Sequence, residues 1–229
     1  MIVLLAHDAD PLADELAKEV ADLSGTEVGV CGPRDLSRQG WALHVAPGDG
    51  QPPASRAVVG GRIVDERDID LVVSLLDDVL PAELLWIREE DADYVACEMS
   101  AVLRYWLESL GGKVLVPPGV GSLAGPDHPA GAWARAAGVD WDRTEDWRGC
   151  REVAVVNGEA WGDASPPLRR AATAMAGWAD VPWLRAFFAP DVDVLWGVAT
   201  LPSPLSGAVA PARVIAAAFG ELVERGRAA

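Results

Sequence analysis

Lysine is nearly absent from this chain. Lys18 and Lys113 are the only two among 19 basic residues, the rest being arginine. Positive charge of any kind is scarce, with 35 acidic residues giving a net charge of −16 and an isoelectric point near 4.5. That balance excludes nucleic acid and anionic membranes as partners, because each phosphate contact calls for a cation. Chemistry built on phosphate-gripping lysines has almost nothing to draw on. Cysteine is equally sparse: Cys31, Cys97 and Cys150 are widely spaced and form no CxxC pair, so neither a disulfide framework nor a zinc site is expected. This usage implies a reducing compartment and a cytoplasmic location. No apolar run approaches the ~20 residues that span a bilayer. The opening Met1–His7 run is too short for a signal segment and has no basic start.

What remains is globular composition: 229 residues, half of them apolar and about a quarter charged, enough to bury a core without staples. Met1–His7 reads as a buried strand. Asp10 and Pro11 open a helix with stripe Leu12, Leu16, Val20 and Leu23, which Ser24-Gly25 ends. Glu27–Cys31 is a second strand, so the chain opens as a parallel α/β sheet. Trp41–Val45 predicts a short strand, Gly48–Pro53 a loop, and Ala57–Val64, turning at Gly60-Gly61, a hairpin. Ile69–Leu76 is a further buried strand. Pro81 to Gly111 predicts two consecutive helices, with Val95, Met99, Val102, Leu103, Trp106 and Leu110 as the apolar stripe. A short strand at Lys113–Val116, a loop over Pro117–Pro129, a helix at Ala130–Ala137 and a polar connector to Gly149 follow. Arg151–Trp161 is a hairpin around Asn157-Gly158, Ser165–Trp178 a helix, and Leu184–Phe188 with Val192–Val198 a strand pair. Ala210–Arg225 predicts a closing amphipathic helix.

Four features invite a chemical reading. Gly119-Val-Gly-Ser-Leu-Ala-Gly125 is spaced GxGxxxG and has no lysine nearby, which fits a connecting loop better than a phosphate cradle. His7, Asp8 and Asp10 follow the first strand, where open α/β sheets place ligands; they are candidate catalytic or metal-binding groups, with turn and cap roles as the plainer reading. Cys150, between Arg148 and Arg151, has the best surroundings for a lowered thiol pKa. Ten tryptophans stand beside three phenylalanines. Trp133, Trp141, Trp147 and Trp161 sit in or beside loops, where they suit a binding surface as well as a core.

The order of segments resembles ATP-grasp ligases, in the ribosomal-protein glutamate ligase branch that includes peptide-maturing ligases of natural-product clusters. The likeness runs through Tyr94-Val-Ala-Cys-Glu98, Leu103-Arg-Tyr-Trp-Leu107, Lys113-Val-Leu-Val-Pro-Pro118 and Leu123-Ala-Gly-Pro-Asp127 with Trp133. It continues through Arg151–Trp161, Leu168–Trp178 and Val194-Leu-Trp-Gly-Val-Ala-Thr-Leu-Pro-Ser-Pro204. The resemblance implies an open, mainly parallel N-terminal sheet followed by a smaller α+β part. It divides the chain into an N-terminal α/β domain over 1–116, a Gly/Pro/Trp-rich connector over 117–150, and a C-terminal region over 151–229.

The departures from the family are specific. Its nucleotide-clamping subdomain, with two lysines and a glycine-rich loop, would fall between Val139 and Arg151, and no lysine follows Lys113. The family's magnesium-binding Glu and Asn would fall near Gly197 and Ala199, which offer no ligating side chain. After the Ile69–Leu76 strand, where the branch often carries arginines, stand Asp77 and Asp78. The resemblance therefore implies a catalytically degenerate accessory protein that binds no nucleotide cofactor or metal. It would hold a peptide, a carrier-bound intermediate or a partner enzyme through Trp133, Trp141, Trp147, Trp161, Arg148 and Arg151. A homodimer is the further assembly expected. The alternatives are an enzyme rebuilt around His7, Asp8, Asp10 or Cys150, or a ligase with an atypical site.

Overall fold

The computed structural model describes residues 1–8, 10–44, 54–142 and 149–200. The expected loop at 48–53, Trp147, Arg148 and the closing helix lie outside them. Three four-residue strands, β1 (Ile2–Leu5), β2 (Val28–Cys31) and β5 (Leu71–Ser74), form a parallel sheet in the order β2-β1-β5. Ile2 aligns with Val28 on one side and Leu71 on the other. Every β1 residue is fully buried, as expected of a parallel strand covered on both faces. The two-residue period splits them: Ile2 and Leu4 join Leu16 and Val20 of α1 (Pro11–Ser24) in one core. Val3 and Leu5 join Leu103, Trp106 and Leu107 of α3 (Glu89–Leu110) in the other. Leu23, placed on the α1 stripe by its spacing, is exposed in the last turn instead.

A four-residue helix, α2 (Pro33–Leu36), follows β2 and is not evident from the sequence. The hairpin β3 (Arg56–Val59) and β4 (Arg62–Asp65) turns through Gly60 and Gly61, both at positive φ, as a two-residue primed turn requires. Trp41–Val45 contributes one bridge, Ala42 to Arg56, and Lys113–Val116 one bridge, Val114 to Val72, rather than full strands. Pro81–Glu83 is a single 3-10 turn, so the expected helix pair reduces to α3. Its buried face runs through Ala92, Ala96, Ser100, Leu103 and Leu107. The apolar arc is wider than the sheet covers, so Val95 and Met99 are only partly buried and Val102 is exposed.

The second unit is a five-stranded sheet, order β6-β10-β9-β7-β8: β6 (Asp140–Trp141), β7 (Arg151–Val156), β8 (Glu159–Trp161), β9 (Trp183–Phe188) and β10 (Val194–Ala199). All its pairings are antiparallel except β6 with β10. α4 (Ala130–Ala137) and α5 (Pro166–Trp178) pack together beside it. Val153, Val155, Leu184, Ala186 and Leu195 join the α5 residues Leu168, Ala172 and Met175 in the core that also holds Ile2 and Leu4. The sheet of the second unit thus recruits β6 from within the segment expected to be a connector.

Candidate functional site

β1 lies between β2 and β5; the chain leaves β1 toward β2 on one side and leaves β5 toward Val114 on the other. The crevice beyond the strands' carboxyl ends is where open sheets bind ligands. His7 and Asp8 follow β1, Gly32 and Arg34 follow β2, and Glu83 arrives after β5. His7, Asp8, Gly32 and Arg34 line a cleft of about 440 Å³ together with Asp10, Asp14, Asp35 and Arg38, and Glu83 joins them through its contact with His7. His7 Nδ1 and Glu83 Oε2 are 2.8 Å apart. The Glu83 carboxylate also accepts the backbone N–H groups of Asp8 at 3.2 Å and Leu80 at 3.4 Å. The carboxylate fixes the orientation of the imidazole ring. Asp8 pairs with Arg34 at 3.3 Å. A Cβ at Gly32 would strike the Asp8 carboxylate, so glycine there lets the two loops close. Buried Asp35 accepts the Gly60 and Gly61 N–H groups at 2.8 and 2.9 Å and pairs with Arg38, tying α2 to the β3–β4 turn. Among the described residues no group of three or more His, Cys, Asp or Glu is placed to hold a metal ion.

Of the cysteines, Cys31 at the end of β2 is buried and donates to the Val58 carbonyl at 3.4 Å. Desolvation pushes its thiol well above the ordinary range, and the Asp35 and Asp8 carboxylates push the same way, which makes it a poor nucleophile. Cys150 is half-buried and Cys97 exposed on α3. In the glycine loop the Gly119 N–H goes to the Ser122 carbonyl at 2.9 Å and the Leu123 N–H to the Asp77 carbonyl at 2.8 Å. The Ala124 N–H goes to Ser122 Oγ at 3.0 Å. The loop thus spends two of these donors on itself and ties the third to the Asp77 carbonyl.

Trp147 and Arg148 lie outside the described residues; the other residues that the sequence nominates for a binding surface stand apart. Trp133 is buried, edge-on to Trp178 at 5.4 Å and to His128 at 5.2 Å. Trp141, half-exposed on β6, and half-buried Trp161, on β8, lie on opposite edge strands, four strand spacings or about 19 Å apart. The Arg151 guanidinium donates to the carbonyls of Ala189 at 2.9 Å and Val192 at 2.7 Å and meets Asp193 at 3.2 Å, clamping the β9–β10 turn.

Between those edges the sheet carries a feature the sequence did not single out. Register places Trp161, Ala154, Arg185 and Ala199 in one row across β8, β7, β9 and β10, and Glu152, Phe187 and Gly197 in the next. Arg185 Nε and Glu152 Oε1 are 2.5 Å apart, with side chains only 5% and 10% exposed. The guanidinium also stands 5.0 Å from the Phe187 ring centre. Their types are ordinary in the sequence; only the register of β7 with β9 brings them together.

No protein-family model and no curated protein sequence matches the chain. Among solved structures, the macrocyclase MdnC of Microcystis aeruginosa, bound with precursor peptide MdnA, superposes with a TM-score of 0.69 at 9% identity, over 98% of this chain and 99% of that one. A RiPP-associated ATP-grasp ligase of Chryseobacterium gregarium, in complex with ADP and a leader and core peptide, gives 0.63 at 10% identity over 98% and 96%. The ATP-grasp ligase PsnB, complexed with a minimal precursor, gives 0.65 at 12% over 96% and 98%. The chain has the ATP-grasp ligase fold, as its segment order suggests.

Proposed function

We propose that the protein is a peptide-holding accessory factor of peptide biosynthesis, built on the ATP-grasp fold without its phosphoryl chemistry. The observation that carries this reading is the Arg185–Glu152 pair. The buried cation of the central C-terminal strands is neutralised by a carboxylate of its own sheet, and the facing positions of β10 are Gly197 and Ala199. Phosphoryl transfer needs cations on the phosphates and carboxylates on magnesium. This face therefore does not suit Mg-ATP. The lysines add nothing there: Lys18 is on α1 and Lys113 donates to the Glu66 carbonyl at 2.8 Å. A peptide role is supported by the fold, since the superposed ligases include structures with precursor peptides bound.

The test is calorimetric titration of amphipathic peptides, basic and acidic, with and without Mg-ATP. Micromolar binding that is indifferent to Mg-ATP is the expected result, and binding across the panel only when Mg-ATP is present would overturn the reading, as would none at all. The second reading, a rebuilt enzyme, rests on the His7–Glu83 geometry; turnover of any substrate that His7→Gln abolishes without loss of folding would establish it.

A further inference from the structure

The wide apolar arc of α3 leaves a second face that the core covers only in part, with Val95 and Met99 half-buried against it. Tyr94, Glu98 and Val102 follow one another at four-residue spacing along it, with Val95 and Met99 beside them. Together with Trp41 they line an open groove of about 220 Å³. The walls are fixed in advance. Trp41 stands edge-on to the buried Trp106 at 5.4 Å, and its indole N–H donates to the Asp35 carbonyl at 2.8 Å. Tyr94 is 69% exposed and Val102 42%, so the apolar surface is open to solvent. In the middle of this stripe sits the Glu98 carboxylate, which meets no cation among the described residues. Arg88, at the start of the same helix, is taken by Glu90 at 2.8 Å and Asp91 at 3.0 Å.

An apolar trough with aromatic walls and one carboxylate matches a particular side chain. The methylenes of arginine or lysine lie well along Val95, Met99 and Val102, while the charged head reaches a carboxylate and an aromatic face. A wholly apolar guest would strip water from Glu98 without replacing it. We infer that this groove is a docking site for a peptide segment bearing an arginine or lysine between apolar residues, with Glu98 as its charge partner. This inference rests on the peptide-holding reading and gives it an address.

The chain has three methionines, Met1, Met99 and Met175. Met175 is fully buried in the other core, so a methyl-labelled sample reports on the groove through Met99. The probes are acetyl-Leu-Arg-Leu-amide and its citrulline counterpart, which has nearly the same shape and no charge. The arginine peptide should shift the Met99 methyl resonance saturably, and the citrulline peptide should bind about tenfold more weakly, the size of one charge-assisted contact. Glu98→Gln should bring the arginine peptide down to the citrulline level.

Equal affinities for the two peptides would overturn the inference. So would a Met99 signal that stays still to millimolar peptide, or one that moves with protein concentration alone, which would mark a second copy as the occupant. If Met1 or Met175 shifts while Met99 does not, the groove is wrong and the peptide-holding reading stands. If neither peptide moves any methyl, the groove is wrong and the calorimetric panel decides the broader reading.

Discussion

The two sheets hold their charges in different places. In the N-terminal parallel sheet the strands carry almost none: β1 is wholly apolar, and the polar groups stand beyond the strand ends, where His7, Asp8, Arg34 and Asp35 line an open cleft. In the C-terminal sheet the charges are inside the strands, with Arg185 and Glu152 nearly inaccessible between neighbouring antiparallel strands. A parallel sheet covered on both faces has nowhere to put a charge except its loops. An antiparallel sheet with one face on helices can carry ions on the other, provided they are paired. The N-terminal unit therefore keeps polar groups accessible to solvent and ligands. The C-terminal one uses its ions for its own integrity.

The contrast is sharpest at Arg185. Arg185→Leu breaks the buried ion pair with Glu152 and should lower stability by about 3–5 kcal/mol in urea unfolding. Replacing both, Arg185→Leu with Glu152→Met, should recover most of that loss, because two apolar side chains of similar volume no longer strand a charge. If the single and double variants are equally damaged, the pair is not the organising contact of that sheet. On the parallel side the equivalent lesion is a cavity. Leu4→Ala, at a fully buried central-strand position, should cost about 3 kcal/mol with no pH dependence of its own. A smaller effect is expected at the β7–β8 turn, where Asn157 takes a positive φ of 47°. Asn157→Ala should cost about 1–2 kcal/mol, measured by the same unfolding curves, since alanine tolerates that conformation poorly.

What the sequence made legible was local. The Gly60-Gly61 and Asn157-Gly158 turns, the Pro11 and Pro166 helix starts and the Ala130–Ala137 helix are set by neighbours in the chain, and each lies where the glycines, prolines and turn residues of the sequence put it. The face of α3 was harder to read. Its arc holds two apolar stripes, and only tertiary packing chooses Ala96, Leu103 and Leu107 over Val95, Met99 and Val102. β6 escaped notice because two residues carry no periodicity, and its partner β10 lies more than fifty positions away.

The sites follow the same rule. His7 and Glu83 are 76 residues apart and Glu152 and Arg185 are 33 apart, so neither pair has a signature in the linear order. His7, Asp8 and Asp10 were findable because strand ends are where ligands gather. The tryptophan surface was not resolvable from sequence, because position beside a loop does not fix exposure, as buried Trp133 demonstrates.

The proposed loss of Mg-ATP handling on a retained ATP-grasp fold is open to a direct test by ligand-linked stability. A protein that bound Mg-ATP with micromolar affinity would gain about 2.7 kcal/mol at a hundredfold excess over Kd, visible as a rise of several degrees in Tm. The expected result is a Tm that Mg-ATP leaves where it was, matched by an equal quantity of magnesium alone. A saturable rise with Mg-ATP that magnesium and ATP do not give separately would contradict it.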